Sequence, residues 1–590
     1  MSSAPALPPD LAGLSAAFPT PSQEAWRAQV DKALKGGSFD RLISRTLDGL
    51  ELQPLYPRDR AGRPALARAQ AQGWRALTRI DHADAHAANE QAHADLEGGA
   101  QGLHLVMAGS VGAYGFGLSE AAGALEEALA GVDLAKAAVN LDLGAAGDVA
   151  LRLAAIVEKQ GLAPGGASIS FGLRADDPEL AGRAKALAQR GFAGPFACAD
   201  ARAVHAAGGS PAHELAFALA QALAILRALE AGGMSLEAAR DALAFRMACD
   251  ADFFLSLCKL RALRRLWARV ETACGLAPKP ARIHAQTAWR MMTRRDPWVN
   301  VLRATVAAFA AGAGGADAVS VLPFTQALGL PDPFARRLAR NAQLVLAEEA
   351  HVGRVADPAA GAGGFEAITD GLCETAWALF QTLERAGSLA AATQTLGAQI
   401  AAASAALRKD AARRKEPITG TSFYPDLAEI PQSVLAPLPR DWRGAAAFPA
   451  MRLAEGFEAL RERSDERLRA AGARPRVFLA ALGAMAAASA RVDFARGVFE
   501  AGGFETSASE RLDDFAESGA ALVCLCGTDA AYGEQGAAAA QALKGAGAKR
   551  LWLAGRGGDG EAALRAAGVD AFVFAGADIL ATLEEAWASA

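Results

Sequence analysis

The amino-acid sequence predicts an α/β protein with two parallel-sheet domains, a (β/α)8 barrel followed by a smaller doubly wound domain. The chain has 590 residues, which is too long for a single hydrophobic core. Short apolar segments alternate with helical patterns about seven times between residues 74 and 370, as in a (β/α)8 barrel. A second, shorter series of strands and helices begins at Arg474.

An N-terminal arm is predicted over residues 1–60. Prolines interrupt this segment, and its one helical pattern, SQEAWRAQVDKALKG, is too short to enclose a core. Trp26, Leu50 and Tyr56 have no domain core nearby in sequence. We therefore expect these side chains to be buried against a partner, and we expect the arm to matter more for assembly than for folding.

The barrel is predicted over residues 61–400. Ser210 and Pro211 are typical of a helix N-terminus, and Gly232-Gly233 ends the helical pattern that follows them. The apolar stripe of this helix consists of Leu215, Leu219, Leu223 and Leu226. The predicted strands are GLHLVMAG, AAVNLDLG, ASISFGL, PFACAD, ARIHAQT, AVSVLPF and HVGRVADP.

A helical, alanine-rich linker is predicted over residues 401–473, and a flavodoxin-like, doubly wound domain over residues 474–590. The predicted strands of this last domain cover residues 476–482, 520–526, 550–554 and 571–575. Domains of this kind bind ligands beyond the carboxyl ends of their strands. After the first strand that position is residues 484–490, AMAAASA, in which Ser489 has the only polar side chain.

The segment GRGGDG, residues 555–560, matches the G-x-G-x-x-G pattern of dinucleotide sites. It follows the third predicted strand of the domain, however, and only 30 residues come after it. A dinucleotide fingerprint belongs on the first strand of a βαβαβ unit. We therefore interpret GRGGDG as a tight glycine loop.

Composition excludes several classes of function. The formal net charge of −5 gives no nucleic-acid footprint. The seven cysteines are scattered and odd in number, which favours reduced thiols over a disulfide framework. No export signal is seen, and the uncharged runs at 98–119 and 386–407 contain too many glycine and polar residues for a membrane span. We expect a cytoplasmic protein without a membrane partner.

The histidines do not form a recognisable metal or catalytic motif. None of the eight lies beyond His351, so the second domain has no imidazole, and no pair has H-E-x-x-H spacing. Cys524 and Cys526 have no partner cluster for a metal site. No G-x-S-x-G elbow occurs, although spacing alone does not exclude a Ser-His-Asp triad.

From about residue 18 onward the chain resembles the methylmalonyl-CoA mutase family. The stretches that carry the resemblance are HELAFALAQALAILRALE at 213–230, FRMACDADFFLSLCKLRALRRLW at 245–267, HAQTAWRMMTRRDPWVNVLRATVAAFAAGAGGADAVSV at 284–321 and LPDPFARRLARNAQLVLAEEAHVGRVADP at 330–358. The resemblance implies adenosylcobalamin-dependent rearrangement of methylmalonyl-CoA to succinyl-CoA. The segment ITGTSFYPDL also resembles the linker of the small (β) subunits in that family.

The family's cobalamin-binding motif is degenerate in this chain. The Asp, His and Gly positions of its D-x-H-x-x-G motif fall on Met485, Ala487 and Ala490. In the family the histidine coordinates cobalt, and a methyl group cannot do so. The aspartate that would orient the imidazole is missing as well. We expect no cofactor-binding or metal-binding residue on this chain.

The family's active-site positions in the barrel are also replaced. Its Tyr-His pair falls on Arg202 and Ala203, and neighbouring His205 occupies a different position. The tyrosine that seals the family's radical site should lie near Arg79–Ile80, and an H-T-N segment becomes Ser320-Val321-Leu322. We expect no catalytic residue on this chain.

The resemblance thus implies a small, non-catalytic subunit of a heterodimeric mutase in propionate metabolism. Its large (α) partner would hold adenosylcobalamin and carry out the reaction. Two alternatives stay open at this point. One is a divergent mutase-like enzyme that holds cobalamin base-on or uses the barrel for another acyl-CoA reaction. The other is a stand-alone acyl-CoA-binding or regulatory protein.

Overall fold

The structure is a computed structural model that describes residues 21–59, 68, 73–443 and 446–590. Residues 1–20 of the predicted arm lie outside the described residues. The described chain has two parallel sheets, one of nine strands and one of five. This confirms the predicted α/β fold with a barrel and a second parallel-sheet domain.

The described part of the arm, from residue 21 onward, contains helix α1 Gln23–Leu34, followed by a short turn of 3-10 helix at Phe39–Leu42. Ser22 caps α1 by accepting a hydrogen bond from the Ala25 N–H. No residue of α1 is buried. Trp26 packs edge-on against Phe39, with ring centroids 6.2 Å apart. The outer part of the arm is therefore held by its own contacts rather than by a domain core.

The structure corrects the expectation that Leu50 and Tyr56 contact only a partner. Both side chains are half-buried against a helix of the same chain, Leu50 next to Gly371 and Tyr56 next to Gly364. The Asp59 N–H also donates a hydrogen bond to the Gly361 carbonyl at 3.0 Å. Residues 43–59 thus belong to the surface of the barrel.

The nine strands of the first sheet run parallel to one another. They are β1 Arg75–Ile80, β2 Gly102–Val106, β3 Ala138–Asp142, β4 Ile169–Ser170, β5 Leu173–Arg174, β6 Ala197–Asp200, β7 Leu243–Cys249, β8 Ile283–Thr287 and β9 Ala318–Ser320. Their order in the sheet is β4-β3-β2-β1-β9-β8-β7-β6-β5. The two edges of the sheet are therefore neighbours in sequence.

Strands β4 and β5 are two halves of one bent strand that closes the sheet into a barrel. Only Phe171 and Gly172 separate them, and β4 pairs with β3 while β5 pairs with β6. Gly172 has a φ of +67°, and the Leu141 carbonyl leaves no room for a side chain at this position. With β4 and β5 taken as one strand, the barrel has the eight strands that the sequence predicts.

Helices surround the barrel sheet. They are α2 Ala85–Glu97, α3 Ala124–Ala128, α4 Asp148–Lys159, α5 Leu180–Gln189, α6 Arg202–Ala206, α7 Pro211–Ala231, α8 Leu236–Asp241, α9 Phe253–Ala273, α10 Val299–Ala313, α11 Pro333–Leu344 and α12 Gly363–Arg385. The bounds of α7 confirm the prediction, with a capping box between Ser210 and His213 and Gly232 at the C-cap. By length and composition α7 could cross a membrane, but most of it is buried inside the molecule.

The predicted linker connects the two domains through two helices. Helix α13, Leu389–Ala412, contains the predicted boundary between residues 400 and 401, so the barrel and the linker share it. Helix α14, Glu455–Ala471, places Phe457 and Leu460 in the hydrophobic core of the second domain. On the barrel side of α14, Glu458 accepts a hydrogen bond from the Arg294 N–H at 2.6 Å.

The second domain is a five-stranded parallel sheet with the order β11-β10-β12-β13-β14, which is the flavodoxin-like order. Its strands are β10 Arg476–Ala481, β11 Glu505–Ser509, β12 Leu522–Cys526, β13 Arg550–Ala554 and β14 Ala571–Val573. Its helices are α15 Met485–Ala501, α16 Asp514–Glu517, α17 Asp529–Ala531, α18 Ala537–Gly545, α19 Glu561–Ala566 and α20 Ile579–Ser589.

Four strand assignments for the two domains differ from the sequence prediction. Strand β1 was not predicted, because Arg75 and Arg79 interrupt its apolar pattern. The segment HVGRVADP forms a turn of 3-10 helix at Val352–Arg354 instead of a strand. Strand β7 was not predicted, because its central Arg246 breaks the apolar pattern. Strand β11 was not predicted, because it lies at the sheet edge and reads ETSAS. The segment GRGGDG therefore follows the fourth strand of its domain.

Candidate functional site at the barrel mouth

A buried cluster of charged and polar side chains lies where the barrel strands end. Asp142 and Asp200 are the last residues of β3 and β6, and Arg246 lies within β7. Arg202 begins helix α6, directly after β6. Functional residues of (β/α)8 barrels lie at the carboxyl ends of the strands, so this cluster occupies the usual position of an active site.

The Arg202 guanidinium is fully engaged by this cluster. Its Nη2 lies 2.7 Å from Asp142 Oδ2 and 2.6 Å from Asp200 Oδ2, and its Nη1 donates to Gln286 Oε1 at 2.5 Å. The Arg202 side chain is only 1% exposed. Two carboxylates and the two guanidinium groups of Arg202 and Arg246 balance in charge, so the cluster has no free charge to offer a ligand.

Arg246 completes the cluster from the opposite side. Its Nη1 lies 3.1 Å from Asp142 Oδ1, and its Nη2 donates to the Leu141 carbonyl at 2.8 Å. Burial alone would raise the pKa of the Asp142 carboxyl, but the charges of Arg202 and Arg246 lower that pKa well below its ordinary value. Asp142 is therefore ionised and is the centre of the cluster.

Two neutral histidines lie beside Asp142. The His104 and His284 rings meet edge to face with centroids 4.7 Å apart, and His104 Nε2 lies 3.4 Å from Asp142 Oδ2. His284 Nε2 lies 2.8 Å from Ser320 Oγ. Burial lowers the pKa of His104 to about 3 and the pKa of His284 well below its ordinary value. Neither ring carries a proton that it could donate as an acid at neutral pH.

We expect the free energy of unfolding to fall as the pH drops from 6.5 toward about 4. Burial lowers the pKa of His104 and of His205 to about 3, against 6.5 for the exposed group. Between pH 3 and pH 6.5 the unfolded state binds more protons than the folded state. The stabilisation that each buried neutral histidine contributes is therefore complete above pH 6.5 and is lost as the pH falls toward 3. Each histidine then contributes a slope of about 1.4 kcal/mol per pH unit.

Urea denaturation at about pH 7 and about pH 5 measures this slope. His104→Gln should reduce this slope by the contribution of one histidine. His86→Gln is the matched control, because the His86 side chain is 73% exposed, and it should leave the slope unchanged. Equal slopes in all three proteins would contradict the assignment.

A cavity of about 1160 Å³ opens above the charged cluster. The lining is mainly aromatic and aliphatic, and it includes Tyr114, Phe116, Phe217, Trp442 and Phe448. Tyr114 stacks on Trp289 with ring centroids 4.6 Å apart, which fixes its position.

The charged groups of this cavity are paired, whereas the buried Ser110 hydroxyl has no hydrogen-bond partner among the described residues. Arg174 and Asp176 form an ion pair of 2.7 Å with each other, and Asp200 is held by Arg202. Burial raises the pKa of the Cys198 thiol to about 11, so this thiol is protonated. The cavity is large enough for an apolar molecule of moderate size, and its carboxylates Asp142, Asp176 and Asp200 are held in ion pairs with arginines.

The other barrel residues that the sequence analysis compared with the family's active-site positions lie in different surroundings. Ala203 follows Arg202 in α6 and lines the cavity with a methyl group. Arg79 is buried in a 2.6 Å ion pair with Asp81. His205 lies outside the cluster, with Nε2 3.1 Å from Asp250 Oδ2. The segment 320–322 is joined to β8, because the Leu322 N–H donates a hydrogen bond to Thr287 Oγ1 and Ser320 Oγ lies 2.8 Å from His284 Nε2.

In the second domain, Met485, Ala487 and Ala490 lie in the first two turns of helix α15. The sequence prediction treats residues 484–490 as a ligand loop, and the structure shows helix from residue 485 onward. Alanine has the highest helix propensity, so an alanine-rich stretch extends the helix up to the sheet edge. Ala487 and Ala490 are exposed.

The crevice beyond the second sheet is capped by side chains of the domain itself. Arg491 Nη1 donates to the Ala554 carbonyl at 2.7 Å, and the Tyr532 hydroxyl donates to the same carbonyl at 2.7 Å. A cavity of about 690 Å³ lies beside them, bordered by the loop at residues 556–560. In the described parts of the chain, no group of three His, Cys, Asp or Glu side chains could hold a metal ion.

The sequence prediction missed the partners of Arg202. Asp142 lies within one predicted strand and Asp200 ends another, and Arg246 falls in a strand that was not predicted. An ionisable residue that ends or interrupts an apolar strand is the signal that could have found them, because such a side chain needs a partner inside the barrel.

Comparisons with known proteins show consistent similarity. A family model described as methylmalonyl-CoA mutase matches residues 199–471. The methylmalonyl-CoA mutase small subunit of Streptomyces virginiae is 42% identical, over 98% of this chain and 98% of that protein. The small subunit of Propionibacterium freudenreichii subsp. shermanii is 34% identical, over 98% and 96%. A protein of Cereibacter sphaeroides named methylmalonyl-CoA mutase is 29% identical, over 70% and 66%.

Proposed function

Since the chain belongs to the methylmalonyl-CoA mutase family, we propose that it is the small, non-catalytic subunit of an adenosylcobalamin-dependent mutase. The complex would interconvert methylmalonyl-CoA and succinyl-CoA in propionate metabolism. The observation that carries this proposal is the 42% identity, over 98% of both chains, to a protein named as a small subunit. The similarity includes both domains and the arm region.

The barrel cluster supports a non-catalytic role. At the two positions of the family's Tyr-His pair the chain has Arg202 and Ala203. Arg202 cannot be deprotonated in a protein and makes ion pairs with Asp142 and Asp200. A guanidinium held in this way does not transfer a proton.

The residues at the second sheet do not fit lower axial coordination of cobalamin. The position of the coordinating histidine holds Ala487, and the chain has no imidazole beyond His351. Arg491 and Tyr532 fill the sheet edge next to this position. We infer that adenosylcobalamin belongs to the partner subunit, and we derive no reaction step on this chain.

The contribution of this chain would be association with the large (α) subunit in a cytoplasmic heterodimer. A partner that binds only the folded form of the catalytic chain stabilises it by mass action. Helix α1, which has no buried residue, supports the idea that the arm contacts this partner.

We expect the isolated chain to retain no cobalamin. After incubation with adenosylcobalamin and gel filtration, the protein peak should lack the visible absorbance of the cofactor, because no side chain of the second domain supplies an imidazole. The complex with the large subunit should carry it in the same experiment. Stoichiometric retention by the isolated chain would instead support the alternative of a divergent mutase-like enzyme.

The matched variant for this experiment is Met485→Asp/Ala487→His/Ala490→Gly. It restores the coordinating and orienting side chains, and loss of such an orienting group typically costs about 10–100-fold in metal affinity. We expect weak cofactor binding but no mutase turnover above background, because Arg202 and Ala203 are unchanged in the barrel. Turnover near that of the complex would refute the non-catalytic assignment of the barrel.

A further inference from the structure

Helix α10 has apolar residues on its outer face as well as on its inner face, although it lies on the outside of the barrel. Its inner face is packed with small residues such as Ala304, Ala307 and Ala311. Its outer face shows Leu302 and Val306, which are 66% and 38% exposed, and Trp298 directly before the helix is 46% exposed. These three residues are four positions apart and form one stripe. A helix that is hydrophobic all round is normally buried.

The stripe carries no charge of its own. Arg303 is the only ionisable residue of α10, and its guanidinium donates to Asn300, Thr293 and the Thr419 carbonyl instead of facing solvent beside the stripe. Water is therefore in contact with an uncharged helix surface. Contiguous apolar surface of this kind marks an interaction site.

Neighbouring helices extend the stripe with aromatic side chains. Phe334 of α11 is 41% exposed, and its ring centroid lies 6.2 Å from that of Trp298. On the other side, Phe309 of α10 stacks on Phe253 of α9 at 5.1 Å, next to Phe254, which is 54% exposed. The residues that form the α10 face are Phe254, Trp298, Leu302, Val306 and Phe334.

The α10 face is large enough for a stable interface. The exposed fractions of its five side chains correspond to roughly 500 Å² of apolar surface, since aromatic side chains alone present about 150–250 Å² each. A standard interface buries about 800 Å² per partner, of which somewhat more than half is apolar. Aromatic residues are also the ones that contribute most to binding energy.

The α10 face continues into the surface that carries the arm. Phe254 stacks on Phe365 at 5.1 Å, and it lines a cavity of about 880 Å³ together with the arm residues Leu55 and Tyr56. A molecule that contacts the arm at this point would therefore also reach the α10 face.

We propose that the α10 face is the docking surface for the large mutase subunit, an inference that rests on the proposed function. The surface opposite the stripe should be apolar, because a charge placed there would lose its hydration without gaining a partner. At the Phe334 edge, the Arg337 guanidinium lies 5.4 Å from the ring centroid and could pair with a negative charge. The arm and the α10 face would then bind the same partner at adjacent positions.

The test is the dissociation constant of the complex with the same organism's large subunit, the mutase-family chain that keeps D-x-H-x-x-G. Leu302→Asp should weaken binding at least tenfold. The matched control is Leu468→Asp on α14, an exposed leucine away from the α10 face, which should bind as the wild type does. Thermal unfolding should show both variants folded, because both side chains are exposed. Leu302→Ala, which adds no charge, should weaken binding less than Leu302→Asp.

The outcomes separate this inference from the proposed function. If the wild-type chain binds the large subunit and Leu302→Asp binds equally well, the inference is wrong while the proposed function stands. If the wild-type chain does not bind the large subunit, the proposed function is wrong, and the large subunit is not the partner of the α10 face. Sedimentation of the chain alone identifies the other occupant, since self-association that Leu302→Asp abolishes would assign the α10 face to a second copy.

Discussion

Asp142→Ala should destabilise the barrel by about 3–5 kcal/mol, the usual effect of removing one partner from a buried ion pair. The substitution leaves the guanidinium groups of Arg202 and Arg246 with Asp200 as their one remaining carboxylate. Both guanidinium groups stay buried, so water cannot replace the lost charge. The expected result is a large fall in the urea concentration at the midpoint of unfolding at neutral pH.

Two further variants make this result interpretable. Asp176→Ala breaks an exposed pair with Arg174 and should cost at most about 1 kcal/mol. Asp142→Asn keeps the shape of the side chain and removes its charge, so it should be measurable even if Asp142→Ala does not accumulate as folded protein. A loss for Asp142→Asn no larger than that for Asp176→Ala would show that the cluster does not depend on the charge of Asp142.

Deleting residues 1–42 should weaken binding to the large subunit at least about 100-fold, which corresponds to about 2.7 kcal/mol. The deletion removes α1 and the following turn, neither of which has a buried residue in this chain. It keeps residues 43–59, where Asp48 accepts a hydrogen bond from the Ala212 N–H at 3.2 Å and Tyr56 packs on the barrel. The free energy of unfolding should therefore change by less than about 0.5 kcal/mol.

The deletion stops at residue 42 because residues 43–59 contact the barrel. Removal of residues 1–60, the whole predicted arm, would also strip packed side chains from the barrel and confuse assembly with folding. Trp26→Ala is the milder companion variant, since it changes only a side chain of α1 and should weaken binding in the same direction. Unchanged affinity of the truncated chain, measured by titration calorimetry, would show that α1 does not take part in assembly.

Features that depend on neighbouring residues were predictable from the sequence. Helix α7 begins and ends as expected, because its cap residues and its leucine spacing are local signals. The same holds for most barrel strands, whose apolar runs are buried from both sides. The parallel sheet of the second domain follows from its alternation of strands and helices.

Features that depend on distant partners were not predictable from local pattern. Strand β7 carries Arg246 inside the barrel, and its carboxylate partners Asp142 and Asp200 lie about a hundred and about fifty residues earlier in the chain. Strand β11 needs no apolar run, because it has a neighbour on one side only. The resemblance to the mutase family identified the position of Arg202, but the ion pairs that hold it became visible only in the structure.

Helix α14 has a consequence for motion between the two domains. Its Phe457 is part of the core of the second domain, while Glu458, the next residue, binds Arg294 and Arg452 on the barrel side. A rotation of the second domain relative to the barrel would therefore disturb either the packing of Phe457 or the contacts of Glu458 with Arg294 and Arg452. We expect α14 to restrict rotation between the two domains, because adjacent residues of this helix are held on both sides.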